Sequence, residues 1–232
     1  MTDATRAPLT HQNGEGRAGS FIRSSNSLAE IAERFPDPEH VSSMLNLQVI
    51  TASTRPGRQG PLVTDWFLVC ARAHGKFDVE PVDLAEVNLP VFDEPIHPRL
   101  AQYEHEHTRA WSAVVQRADA FVVVTPEYDY ATPAALVNAL QYLVREWAYK
   151  PMGFVSYGGV SGGTRGVQMT KQIVTTLKVM PIPEAVAIPF FAKHVDSEVG
   201  RFDPGEVQAK AASVMLDELL RWAGALKSLR TA

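Results

Sequence analysis

Among 232 residues there is one cysteine, Cys70. No intrachain disulfide can form, which fits a reducing cytoplasm. No apolar run approaches the roughly 18–20 residues that span a bilayer. The N-terminus has no apolar stretch of the secretory type. No membrane partner is therefore expected. Basic residues are not in excess: 22 Lys and Arg face 26 Asp and Glu, a net charge of −4. That balance argues against nucleic acid, which favours basic surfaces. Several catalytic signatures are missing too. There is no Gly-Lys-Ser/Thr ending of a Walker loop, no Gly-x-Gly-x-x-Gly fingerprint and no Gly-x-Ser-x-Gly elbow. His97, His105 and His107 lie close together, but positions 105 and 107 do not share a helix face. No cysteine or matched histidine pair completes a ligand set, so no metal is expected.

What is present is an ordered alternation. Residues 1–44 read as an N-terminal extension, a tail or an oligomer arm; 1–26 are rich in Thr, Gly, Ser and charge. Ser27–Phe35 can form a short capped helix that Pro36 and Pro38 end. Residues 45–232 read as one domain. Strands are expected at 47–50, 77–84, 121–124, 152–156 and 185–188. Helices are expected at 60–74, 101–118, 133–147, 166–178 and 206–229. Gly75 suits a left-handed cap on the first helix. Pro81 suits an edge strand. The all-apolar run Phe121–Val124 suits a central strand covered on both faces. A βαβαβαβαβα order specifies an α/β three-layer sandwich around a parallel sheet. Five strands point to the flavodoxin-like order 2-1-3-4-5, with a ligand outside the carboxyl ends of the strands.

Three polar junctions fall at such ends. The first, Ser53-Thr54-Arg55-Pro56-Gly57-Arg58-Gln59-Gly60, opens a helix. Free N–H groups at a helix start favour a phosphate. Ser53 and Thr54 add hydroxyls, and Arg55 and Arg58 can add charge-assisted bonds. With no dinucleotide fingerprint, a monophosphate is the better fit. In the second junction, Thr125-Pro126-Glu127-Tyr128-Asp129-Tyr130, Pro126 and Tyr128 can line a slot for a flat ring, with N–H groups near Tyr128 and Asp129 as donors. In the third, Ser156-Tyr157-Gly158-Gly159-Val160-Ser161-Gly162-Gly163-Thr164-Arg165, the glycines admit close approach of backbone to ligand, and Tyr157 can cover the ring edge. Arg165 is open to a phosphate contact or a surface ion pair.

These loops resemble the three signature loops of the NADPH-dependent FMN reductases, over roughly residues 45–225. The Thr-Pro-Glu-Tyr loop is the most specific part. The resemblance implies bound FMN and reduction of a quinone, azo compound, free flavin or metal oxyanion by NADPH or NADH. It implies phosphate contacts at Ser53, Arg55, Arg58, Gln59 and Gly60. It also implies ring contacts at Pro126, Glu127, Tyr128, Asp129, Ser156, Gly158 and Gly159, and a homodimer or homotetramer. The implied cycle is ping-pong, with no catalytic side chain because the flavin carries the chemistry. Backbone N–H groups around Gly158 and Gly159 are candidates to hold charge on the reduced ring. The chain departs from the family at Asp129, where Asn is usual; either the carboxylate points away and leaves only its backbone N–H at the ring, or it lowers the flavin potential. The competing expectations are an electron carrier or sensor without turnover, and a cofactor-free binding module.

Overall fold

The structure is a computed structural model that describes residues 44–196, 198 and 200–230. The expected arm, apart from Met44, and the helix expected at Ser27–Phe35 lie outside the described residues. Five parallel strands form one sheet: β1 (Leu45–Thr51), β2 (Phe77–Asp83), β3 (Ala120–Pro126), β4 (Pro151–Tyr157) and β5 (Met180–Ile188). Their order is β2-β1-β3-β4-β5, as expected. A small antiparallel pair, β6 (Val195–Asp196) and β7 (Arg201–Phe202), follows. The helices are α1 (Gly60–His74), α2 (Leu84–Val87), α3 (Glu106–Gln116), α4 (Ala134–Gln141), α5 (Thr164–Thr176) and α6 (Glu206–Leu226).

Every residue of β3 is buried. Phe121 and Val123 pack with Trp111, Val115, Leu140 and Trp147 on the face that α3, α4 and α5 cover. Ala120, Val122 and Val124 pack with Phe67, Met215, Leu216 and Leu219 on the face under α1 and α6. The period-two alternation of a strand thus feeds two cores at once. Pro81 lies in β2, an edge strand that pairs only with β1, where proline is tolerated.

Three boundaries differ from the sequence pattern. Helix α3 starts at Glu106 rather than near Ala101. Ala101 is in a left-handed conformation after the 3₁₀ turn Pro98–Leu100. The N–H groups of Glu104 and His105 donate to the Glu94 carboxylate at 2.9 and 3.1 Å, which holds the chain off a helical path until Glu106. Helix α4 stops at Gln141, although Leu143 and Trp147 are fully buried as the helical spacing suggested. Apolar spacing reports burial, not hydrogen bonding. Here the chain leaves the helix and turns into β4, with the Tyr149 N–H donating to Lys178 O at 2.9 Å. Strand β5 starts at Met180, earlier than expected, through Pro181 and Pro183. It is an edge strand, where proline is tolerated. Among the described residues no helix is long and apolar enough to cross a membrane.

Candidate functional site

The carboxyl ends of β1, β3, β4 and β5 meet around one cavity of about 510 Å³. Its wall holds Arg55 and Gln59 from the first junction. The second gives Pro126, Glu127 and Tyr128; the third gives Tyr157, Gly158 and Gly159. The three segments therefore share one cleft. A fourth segment, Phe190 to Lys193, completes the wall and was not expected. The same rule of strand ends could have found it, since Ile188-Pro189-Phe190-Phe191 is the junction after the fifth strand. Main-chain bonds fix this segment to the glycine loop: Phe190 N to Gly159 O at 2.9 Å and Phe191 N to Gly158 O at 3.0 Å.

The start of α1 has no side-chain cap, so its first-turn N–H groups are free for an anion. Ser53 Oγ is buried there without a hydrogen-bond partner. A Cβ at Gly60 would collide with that oxygen and lie 3.1 Å from the Tyr157 hydroxyl. Two hydroxyls and a helix start thus converge, and only glycine fits between them. Burial pushes the Tyr157 phenol up to about 12, with the neighbouring Ser53 and the arginines opposing; it stays a neutral donor. An unsatisfied hydroxyl, an uncapped helix end and Arg55 make a donor set that suits a phosphate. The open space beside Gly159 and the apolar Pro126 and Tyr128 suit a flat ring. The residues present therefore fit FMN.

Several expected contacts fall elsewhere. Arg58 Nη1 donates to Ser53 O at 2.9 Å and pairs with Asp83 at 2.6 Å. It braces the loop against the end of β2 and is not on the cavity wall. Thr54 faces a different, smaller cavity beside Leu84, Asn88 and Asn138. Ser156 lies within β4, under Gly163, and is not on the cavity wall. Tyr128 N donates to Ala131 O at 3.0 Å, and Gly158 N to Ile188 O at 3.3 Å. These two N–H groups are therefore taken; that of Gly159 remains the candidate donor in the glycine loop.

Asp129 and Tyr130 form the tip of a tight turn, both at positive φ (50° and 68°), with Ala131 N donating back to Tyr128 O at 2.8 Å. Asp129 is exposed and off the cavity wall. Its carboxylate is directed by the turn, not by the ring. Asp129→Asn is accordingly expected to leave the flavin midpoint potential unchanged in a redox titration. It should raise stability by a few tenths of a kcal/mol, because Asn tolerates this conformation well.

Glu127 reaches the wall, but its carboxylate serves the loops. Oε2 accepts from Ser161 Oγ and Arg165 N, each at 3.1 Å, and Oε1 accepts from Arg165 Nε at 2.6 Å. Arg165 also pairs with it through Nη2 and lies 3.7 Å over the Tyr130 ring. The ion-pair reading of Arg165 is the one the structure has. Burial alone raises the Glu127 carboxyl, but the bonds from Arg165, Ser161 and the backbone outweigh it and hold it below the usual carboxylate range. The pair anchors the second loop to the start of α5. A Glu127→Gln variant should lose about 2 kcal/mol at neutral pH, since charge-assisted bonds become neutral ones. A group with a lowered native pKa contributes fully above its unfolded value, about 4.3 for Glu, and loses that contribution as pH falls through the native value. The gap between wild type and variant should narrow as pH falls below about 4.3 and close only below the native value of this carboxyl; urea midpoints across that range read it.

His105 and His107 share no helix face, yet their rings meet. His105 sits before α3, and the two rings stack at 5.1 Å. Asp93 Oδ1 lies 2.9 Å from His107 Nε2 and accepts from the Tyr142 hydroxyl. No group of three potential ligands suited to a metal occurs among the described residues.

Sheet order and the cleft at the strand ends define a flavodoxin-like α/β protein. The solved flavoenzyme NAD(P)H:(acceptor) oxidoreductase FerB of Paracoccus denitrificans shares this fold, with TM-score 0.62 and 20% identity over 78% of this chain and 98% of its own. The profile of the NADPH-dependent FMN reductases matches residues 45–193, and the chain belongs to that family. An NAD(P)H-dependent FMN reductase of Schizosaccharomyces pombe is 40% identical over 145 residues, 61% of this chain and 72% of its own. One from Nectria sp is 32% identical over 155 residues, 64% and 77% of the two chains.

Proposed function

We propose that the chain is an FMN-dependent oxidoreductase that uses NAD(P)H to reduce a small acceptor such as a quinone, an azo compound or free flavin. The convergence of the uncapped start of α1, the orphan Ser53 hydroxyl and the glycine loop on one cleft carries this reading. FMN, when bound, would supply the redox chemistry that links the nicotinamide to the acceptor. The chain supplies binding and position. Arg55, Gln59 and the first-turn N–H groups of α1 hold the phosphate, with the Ser53 hydroxyl beneath. Pro126 and Tyr128 wall the ring. Gly158 and Gly159 let the backbone close on it, and Glu127 with Arg165 keeps those loops in register. Phe190 and Phe191 exclude water from one side. Lys193 at the rim adds positive charge for the nicotinamide nucleotide. No side chain is needed as acid, base or nucleophile.

Cytoplasmic location and a homo-oligomer are part of the proposal. Cys70, its thiol pushed up by burial, suits a reducing compartment. Exposed Val91, Phe92 and Leu100 offer apolar surface to a second subunit; light scattering on the full chain reads the subunit count. The activity is tested by colour. The purified protein should be yellow, bleach anaerobically with NADPH or NADH, and recover with a quinone. A yellow protein inert to both nicotinamides would be a carrier. A colourless one that takes up no FMN would overturn the reading.

A further inference from the structure

A second cavity, of about 780 Å³, lies at the opposite end of the sheet, around the residues that lead into β3 and β4. Six of its side chains are basic: Arg117, Arg145, Lys150, Lys178, Lys227 and Arg230. Only Asp119 and Glu146 are acidic, and both are engaged. Asp119 accepts from Asn46 N at 2.9 Å and pairs with Arg230 Nη1 at 2.8 Å. Glu146 accepts from the hydroxyls of Tyr103 and Ser112 at 2.9 and 2.6 Å. Arg117 also pairs with Glu80 Oε1 at 2.7 Å. Three carboxylates cannot neutralise six basic side chains, so the wall keeps a positive excess.

Two of those cations are held where water reaches them poorly. Lys150 is 4% exposed, and its Nζ donates to Val115 O and Gln116 O at 2.9 and 3.1 Å, at the end of α3. Burial first, then the nearby Arg230, bring Lys150 down to about 7, against Asp119 and Glu146, which raise it. Arg230 Nη2 is buried and has no hydrogen-bond partner among the described residues. A buried guanidinium N–H without an acceptor is costly, and a phosphate oxygen is a strong acceptor for it. An anion here would satisfy that donor and favour the charged form of Lys150 beside Arg230. The volume lies within the range of small-molecule sites, about 300–1,000 Å³.

We propose that this cavity binds a small phosphate-bearing anion, up to a nucleotide in size, with Arg230, Lys150 and Lys227 as its principal contacts. The site is separate from the flavin cleft and does not rest on the flavin reading. Its test is calorimetric titration of the full chain, saturated with FMN, with inorganic pyrophosphate at constant ionic strength and about pH 7.5. Saturable binding is expected, weakened about tenfold or more by Arg230→Gln. Lys227→Glu should weaken it as well; Lys227 is exposed, so this variant decides the matter should Arg230→Gln fail to fold. FMN content should be unchanged in both. Titration in buffers of different ionisation enthalpy should show proton uptake, because an anion favours the charged form of Lys150; Lys150→Met should abolish the uptake. Absence of saturable heat, or equal affinity in wild type and Lys227→Glu, overturns the proposal.

Discussion

A Gly163→Ala variant is expected to lose about 3 kcal/mol of stability and to melt about 6–12 °C lower. Gly163 has φ 83° and caps the start of α5. A left-handed residue with a Cβ costs about 1–2 kcal/mol. Its Cβ would also lie 2.9 Å from Ser156 Cβ, Tyr157 N and Tyr157 O. Two of these are backbone atoms, and the strand that holds them is paired on both sides: Tyr157 opposes Pro126 of β3 and Ile188 of β5. The strand end has no free direction in which to yield. Overpacking of this kind adds about 1–3 kcal/mol. FMN affinity should fall as well, because Tyr157 and Gly158 line the cleft. Gly159→Ala is the informative contrast. Its Cβ would meet nothing within 4 Å, so it should melt with wild type and weaken only the flavin, whose space it enters. Melting by circular dichroism and quenching of FMN fluorescence separate the two effects. A Gly163→Ala protein as stable as wild type would contradict the close approach.

Arg55→Ala should weaken FMN binding by about 10- to 100-fold, the scale of a lost charge-assisted bond to phosphate. Arg55 is exposed on the cleft wall, and among the described residues its guanidinium makes only a long 3.4 Å contact to Pro56 O. Its charge is thus available to a ligand. Riboflavin, which lacks the phosphate, should bind wild type and variant alike. Arg58 gives the opposite signature. It is tied to Asp83 and Ser53 O, so Arg58→Ala should act on loop order and stability more than on the phosphate. Equal losses for riboflavin and FMN in Arg55→Ala would move the phosphate away from this loop.

The sheet was legible because its signals are local. The run Phe121–Val124 could only be a strand buried on both faces, and Pro81 only suited an edge. The cleft was legible for a related reason: a parallel sheet gathers all its strand ends on one side, so polar junctions after adjacent strands must be neighbours. The departures share one cause. Leu143 and Trp147 keep helical spacing yet leave the helix, because a burial pattern does not say where hydrogen bonding stops.

By itself, then, the order of residues determined the alternation of elements, the two-faced central strand and the side of the sheet where a ligand can sit, since these follow from period, length and chain direction. Only the tertiary structure decided which polar groups are still free. Arg58 and Arg55 are alike in sequence, but Asp83 from another strand claims one of them. Glu127 is taken by Arg165, and Asp129 is turned to solvent by its own backbone. A hydrogen-bond donor or acceptor is spent on whatever lies nearest in space, and that neighbour comes from a distant part of the chain.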